Sequence, residues 1–236
     1  MSVYRKIEQK LTQFLGLTRR PVAVTYSQTA PAGIQAISGS QPAGCSFWRI
    51  AAAGKTFYTE ADDHYNCPIG SYTHNIALPP ERASELDGTL GLMVQIGYLK
   101  MEEIPDVFRL PEAPGAVVYE PLGDASQTPS AVLVSGRPKQ LALLAEAAVR
   151  AGVYSNLPML TRPTCMALPA AMQKGVVISS ACIGNRVYTD LGDDELYAVI
   201  PGKDLEHVAA ELETIAAAND KLAEYHSARR QTLTTA

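Results

Sequence analysis

The spacing of hydrophobic residues along the chain predicts alternating helices and strands. In residues 3–17, Ile7, Leu11 and Leu15 recur at the spacing that places them on one face of a helix. The segment PVAVTYS (residues 21–27) follows, and it is short, apolar and rich in β-branched residues. Such a run is typical of a buried strand.

The same reasoning, applied along the rest of the chain, predicts further elements of both kinds. Strands are predicted at KTFYTE (55–60), AVVYEPL (116–122), PSAVLVSG (129–136), VVISS (176–180) and DELYAVIPG (194–202). Helices are predicted from residue 45 to a stop at Gly54, over residues 137–152, after Cys165 and over residues 203–230. Residues 79–110 are mostly helical in composition, but their glycines weaken the helix prediction. The pattern indicates one α/β or α+β domain over residues 1–236, with a mixed sheet, flanking helices and a long C-terminal helix.

A weak internal repeat surrounds the four cysteines. Cys45 begins a predicted helix that is followed by a glycine, a strand and then Cys67-Pro-Ile-Gly. Cys165 begins a similar series that leads to Cys182-Ile-Gly. The spacings are C-x21-C and C-x16-C, so the match is imperfect. If the repeat is real, its halves span about residues 20–110 and 115–202, and a local two-fold would bring the four thiols to one interface.

Composition and charge exclude several classes of protein. The chain has 236 residues, 47% of them hydrophobic, which is enough for a substantial core. Its formal net charge is −4, and the basic residues are not clustered, so no nucleic-acid partner is indicated. The hydrophobic runs are too short for a membrane span, and the N-terminus lacks the apolar core of a secretory signal. These features predict a cytoplasmic protein.

Cysteines in the cytoplasm are normally reduced, so disulfides are not the first interpretation. Thiolates bind soft or borderline metals, including zinc and iron–sulfur clusters. Closely spaced Cys pairs, as in zinc ribbons or ferredoxins, are missing from the sequence. A metal site would therefore require Cys45, Cys67, Cys165 and Cys182 to converge in the tertiary structure. A reactive thiol and inert core cysteines are the alternatives.

Some neighbouring residues suit an inorganic group. Gly70 and Gly184 follow the second cysteine of each series, and would allow backbone N–H groups to approach sulfur. Arg186 could hold a small anion or stabilise a thiolate, or it could form an ion pair with a nearby aspartate. Arg49 beside Cys45 has the same ambiguity. His64 is interpreted first as a solvated loop residue, and second as a ligand or a partner of a thiol.

The cysteine-containing blocks also resemble a known family. RPVAV, Cys45 with GKTFY downstream, NCPIG, PTCMALPAAMQKG and SSACIGNRVYTDLGDDELYAVIPG are similar to the prokaryotic family called domain of unknown function 169. The resemblance implies thiols at all four cysteine positions, with Gly184 and Arg186 after the last. The family is common in anaerobes, which suits an oxygen-sensitive cluster, but the resemblance implies no reaction.

These observations lead to one functional hypothesis and two alternatives. The hypothesis is a metal-binding protein that carries an iron–sulfur cluster, [4Fe–4S], on the four cysteines. It would act in electron transfer or in redox chemistry on a small molecule, with an unidentified redox partner or substrate. The alternatives are a metal-free cysteine-dependent enzyme and a small-ligand-binding or sensor protein with structural cysteines. A zinc site and a homodimer are also compatible with the sequence.

Overall fold

A computed structural model describes residues 2–234 of the chain, which form one sheet covered by helices. The strands are β1 (Val22–Ser27), β2 (Phe57–Thr59), β3 (Ala116–Pro121), β4 (Ala131–Gly136), β5 (Val177–Ser179) and β6 (Leu196–Pro201). The α-helices are α1 (Val3–Leu15), α2 (Cys45–Ala52), α3 (Pro68–Thr73), α4 (Ser84–Gln95), α5 (Pro138–Arg150), α6 (Ala167–Lys174), α7 (Ile183–Thr189) and α8 (Leu205–Thr234). The α/β prediction, with flanking helices and a long C-terminal helix, is confirmed.

The sheet has six strands in the order β2-β3-β1-β4-β6-β5, and all the strand pairs are antiparallel, so it is not the mixed sheet that was predicted. This order is symmetric about the β1–β4 pair. In the first half, β1 is central, β2 forms the edge and β3 lies between them. In the second half, β4 is central, β5 forms the edge and β6 lies between them. The edge strands β2 and β5 even share one burial pattern. The strand order thus repeats in two halves, β1 to β3 and β4 to β6. These halves differ from the predicted ones, about residues 20–110 and 115–202, because β3 completes the first half.

Hydrophobic residues fill the space on both faces of the sheet. Alternate residues of a strand point to opposite faces. Accordingly, Val22 and Val24 belong to one core, with α2 and α6, whereas Ala23 belongs to the other, with α1, α5 and α8. Because helices cover both faces, the strands are largely apolar on both faces rather than alternating. The core that contains α2 and α6 also contains Cys45.

Most predicted elements are present, and two helices were not predicted. Gly16 ends α1 in the left-handed conformation (φ 64°), as its position indicated. Pro169 lies in the first turn of α6, where a missing N–H removes no intrahelical hydrogen bond, so the helix continues past it. The unpredicted helices, α3 and α7, are only six and seven residues long. Helices this short show little periodicity.

Candidate functional site

The first cysteine of each half lies where a helix of the α2–α6 core begins. Cys45 is the first residue of α2 and is buried. Cys165 lies in the 3₁₀ turn Thr164–Met166, which leads directly into α6. Its Sγ lies 4.0 Å from the carbonyl oxygen of Ile69, in the other half of the chain. The tertiary structure thus brings the second cysteine series against the first.

The second cysteine of each half is the N-cap of a short helix. Cys67 caps α3, and its Sγ accepts a hydrogen bond from the Gly70 N–H at 3.3 Å. Cys182 caps α7, and its Sγ accepts from the Asn185 N–H at 3.5 Å. The Gly70 N–H thus approaches the sulfur of a free thiol. In the second half, the residue after Gly184 supplies the equivalent N–H.

The two glycines differ in the space around them. A Cβ added at Gly70 would lie 3.0 Å from the Cys67 Sγ, so the thiol would have to shift by a few tenths of an ångström. A Cβ at Gly184 would meet nothing nearer than Cε2 of Tyr188, at 3.9 Å. Position 184 therefore has room for a side chain, which the binding experiment below uses.

All four cysteines line one cavity of about 670 Å³. Its wall includes Gly70, Gly184, His64, His74 and Trp48, together with apolar residues of α4 and of the segment that follows it. Trp48 is buried and also packs edge-to-face against Tyr197, with ring centroids 5.5 Å apart, so it is both a core residue and part of the wall. The two cysteine series thus share one cavity wall.

Burial determines the electrostatics of the thiols. It raises the pKa of Cys45 to about 12, and the nearby Cys67 and Cys182 add to the shift. Burial also raises the pKa of Cys67, against the opposing effect of backbone N–H groups. The pKa of Cys165 is raised well above its usual value for the same reason, with Cys67 contributing. These three groups are therefore neutral thiols at pH 7.

The cysteines do not form a metal-ligand group. Across residues 2–234, no set of three or more His, Cys, Asp or Glu side chains is arranged to hold a metal ion. All four cysteines are free, without disulfides. The thiols share a cavity wall instead of closing on a common ion. This finding contradicts the predicted metal-binding and iron–sulfur character of Cys45, Cys67, Cys165 and Cys182, and the redox role inferred from it loses its support.

Two histidines in the cavity wall are buried, and His64 is not the solvated loop residue that the sequence suggested. His64 is only 2% exposed, and its Nε2 lies 2.8 Å from the Thr59 hydroxyl. His74 is 4% exposed, and its Nε2 lies 3.2 Å from the Tyr26 hydroxyl. The two imidazole rings stack with centroids 5.7 Å apart. Burial lowers the pKa of His64 to about 3 and that of His74 to about 4, so both are neutral at pH 7.

The arginines singled out in the sequence lie outside the cavity wall. The Arg186 guanidinium donates to the carbonyl oxygens of Ser180, Gly192 and Glu195, at 2.7, 2.6 and 3.0 Å. It therefore fixes the loop after α7 to the end of β5, rather than facing a ligand. Arg49 forms an ion pair with Asp190 at 2.5 Å.

Sequence reasoning missed the residues that cover the cavity. They come from α4 and the stretch after it, and include Leu86, Leu90, Met93, Tyr98 and Leu99. Glycines interrupt the apolar pattern there, so the sequence carried no signal beyond weak helical composition.

The thiol pKa values give a direct labelling prediction. At pH 8, iodoacetamide should modify Cys45 of the folded protein far more slowly than in urea, because the thiolate is the reactive species. The rate should rise as the pH approaches 12. Peptide mass spectrometry after timed labelling resolves each cysteine. Labelling of Cys45 at the same rate with and without urea would contradict the buried, neutral thiol.

Comparison with known proteins places the chain in a family. None of the helices in residues 2–234 has the length and hydropathy to cross a bilayer. Comparisons with curated proteins and with solved structures gave no match. A family profile described as "Uncharacterised ArCR, COG2043", which is domain of unknown function 169, matches residues 10–211 and includes all four cysteines. The chain therefore belongs to the domain of unknown function 169 family, as its cysteine-containing blocks indicated.

Proposed function

We propose that this protein binds a neutral, largely apolar small molecule in the thiol-lined cavity. The cavity itself carries the proposal: about 670 Å³, walled by apolar side chains, thiols and aromatic rings. Ligand sites in proteins commonly enclose roughly 300–1,000 Å³ and have mostly apolar walls with a few polar groups. This function is the ligand-binding alternative that the sequence left open.

The charges around the cavity favour a neutral ligand. The charged residues in its wall are Glu103, Asp106 and Arg162. Glu103 and Arg162 neutralise each other in an ion pair of 3.2 Å, and Asp106 is exposed to solvent. His64 and His74 add no charge, because burial lowers the pKa of both. A charged ligand would lose hydration here without gaining a counter-charge.

The thiols suit a binding wall better than a nucleophile. A nucleophilic cysteine needs a substantial thiolate fraction at neutral pH. Burial raises the pKa of Cys45, Cys67 and Cys165, and so reduces that fraction. Neutral thiols instead provide a small, polarisable, weakly polar surface. The cysteine-dependent enzyme therefore draws no support from these three residues.

Binding can be tested with Nile red, a neutral dye whose fluorescence rises in apolar surroundings. We expect saturable binding to the wild-type protein. Gly184→Phe should weaken it about tenfold or more, because the new ring occupies the cavity and displaces the contacts that bind the dye. The matched control is Gly88→Phe, at an exposed position of α4 outside the wall with nothing within 4 Å. Equal affinity in both variants would place the dye elsewhere and contradict the proposal.

The cofactor content is tested separately. Protein purified without oxygen should contain iron, zinc and acid-labile sulfide only in amounts well below one per chain. Denaturing extraction and mass spectrometry of the same sample would reveal a co-purified organic ligand. Stoichiometric iron with sulfide would overturn the proposal in favour of an inorganic centre.

A further inference from the structure

The symmetric halves of the sheet differ in one large feature. In the second half, residues 190–195 are enough to connect α7 to β6. In the first half, the equivalent connection from α3 to β3 is residues 74–115, and it contains α4 and the 3₁₀ turn Met101–Asp106. Residues 80–106 of this connection, called the lid below, supply one side of the cavity wall.

The lid covers the cavity without being part of a core. Neither α4 nor the turn Met101–Asp106 contains a buried residue. Yet Leu86, Leu90 and Met93 of α4 line the cavity, and Leu92 on its outer surface is 56% exposed. An element with so little buried apolar surface has low local stability, so its opening costs much less than global unfolding.

Few polar contacts hold the lid to the rest of the protein. At its start, the Arg82 Nη1 donates to the Asn66 Oδ1 at 3.1 Å. Near its end, Arg162 pairs with Glu103 at 3.2 Å, and its guanidinium lies over the Tyr98 ring, 5.0 Å from the centroid. Ion pairs as exposed as this one contribute roughly 0–1 kcal/mol, so they can break and re-form readily.

The chain beyond the lid is anchored more firmly. The Leu110 N–H donates to the Thr73 carbonyl oxygen at 2.9 Å, and the Arg109 Nε donates to the Tyr72 carbonyl oxygen at 2.9 Å. Gly97, with φ 71°, separates α4 from the turn that contains Glu103. The lid is thus a loosely held segment with a fixed attachment behind it.

We propose that the lid opens and closes over the thiol-lined cavity and controls entry of the ligand, with Arg162 as the latch. This inference rests on the proposed binding function. Breaking the latch should increase the open fraction, because Arg162 makes both contacts, to Glu103 and to Tyr98, from outside the lid.

Limited proteolysis tests lid opening without any ligand. Trypsin can cleave after the exposed Lys100, which lies within the lid. Arg162→Gln should accelerate this cleavage about two- to fivefold, which corresponds to the loss of one exposed ion pair with its ring contact. Arg162 precedes a proline, so its replacement removes no tryptic site. The matched control, Arg150→Gln, breaks the comparable pair of Arg150 with Glu211 (2.8 Å) on α5 and α8 and should leave the Lys100 rate unchanged.

Stopped-flow binding of Nile red completes the test. The association and dissociation rates should both rise about two- to fivefold in Arg162→Gln relative to Arg150→Gln. Equal rates of Lys100 cleavage and equal rates of dye binding in Arg162→Gln and Arg150→Gln would overturn the lid proposal. If the wild-type protein does not bind the dye, the proposed function fails, whereas the Lys100 cleavage rate still decides whether the lid opens.

Discussion

Lowering the pH from 7 to 4.5 is expected to reduce the free energy of unfolding by about 5 kcal/mol through His64 and His74 alone, since each pKa unit corresponds to about 1.4 kcal/mol. Burial lowers the pKa of His64 from 6.5 to about 3, and that of His74 to about 4. The unfolded chain therefore binds two protons below pH 6.5 that the folded protein does not. Their stabilising contribution is complete above pH 6.5 and is lost as the pH falls toward 3–4.

The structure explains why neither histidine can become charged without disruption. His64 is enclosed beside Phe47, with ring centroids 5.2 Å apart, and stacks on His74. The Nδ1 of His74 lies 2.9 Å from the Gly70 carbonyl oxygen. That oxygen favours a proton on Nδ1, but burial outweighs its effect on the pKa. Two adjacent imidazolium ions in this space would also repel each other.

Urea unfolding at pH 7 and 4.5 measures the effect. His74→Gln should remove roughly half of the histidine contribution, about 2.5 kcal/mol of the change between the two pH values. His64→Gln provides a second, independent variant if the first is too unstable. His226→Gln is the control, because His226 is exposed on α8. An unchanged pH dependence in both buried-site variants would refute the assignment.

Replacing Gly175 with alanine should destabilise the fold by roughly 3 kcal/mol or more, through two separate effects. Gly175 follows α6 with φ 97° and ψ −169°, a backbone conformation essentially restricted to glycine. In addition, a Cβ there would lie 2.2 Å from the Val153 carbonyl oxygen. Backbone atoms cannot move aside as a flexible side chain can, and the Val153 carbonyl also accepts the Val176 N–H.

Gly54 provides the control, because it follows α2 one residue after the C-cap Ala53 and also has a positive φ. Its φ of 105° is also unfavourable for alanine, but nothing lies within 4 Å of an added Cβ. Gly54→Ala should therefore cost only the conformational strain, about 1–2 kcal/mol. Chemical denaturation of the two variants separates strain from steric overlap. Equal losses would show that the overlap at Gly175 is relieved elsewhere.

This pair of glycines illustrates how far the sequence could predict the fold. Both were interpreted in the same way, as the stop signals of two Ala-rich helices, and both do follow helices in the left-handed half of backbone space. The sequence contained no sign that Val153 approaches one of them. That contact comes from the packing of a distant loop against β5, which local patterns do not encode.

At the candidate site, too, the sequence predicted some features and the tertiary structure decided others. The cysteine spacing drew attention to four residues that line one cavity. It wrongly suggested metal ligation, because ligand geometry depends on where each thiol points. Cys67 and Cys182 accept hydrogen bonds as helix N-caps, and Cys45 and Cys165 are held at the starts of helices in the core. Residue type alone could not distinguish a cavity wall from a ligand set.

The sequence by itself determined the family, the positions of all six strands and of most helices, and the presence of four related cysteines. These properties depend on residues that are close in the chain, because the hydrophobic period and the glycine positions determine where helices and strands begin and end. The tertiary structure alone decided the cavity, the burial of His64 and the lid over the thiols. Each of these depends on residues that are far apart in the chain and pack together in the fold. Their packing excludes water from the buried histidines and thiols, and this burial sets the charge of those groups.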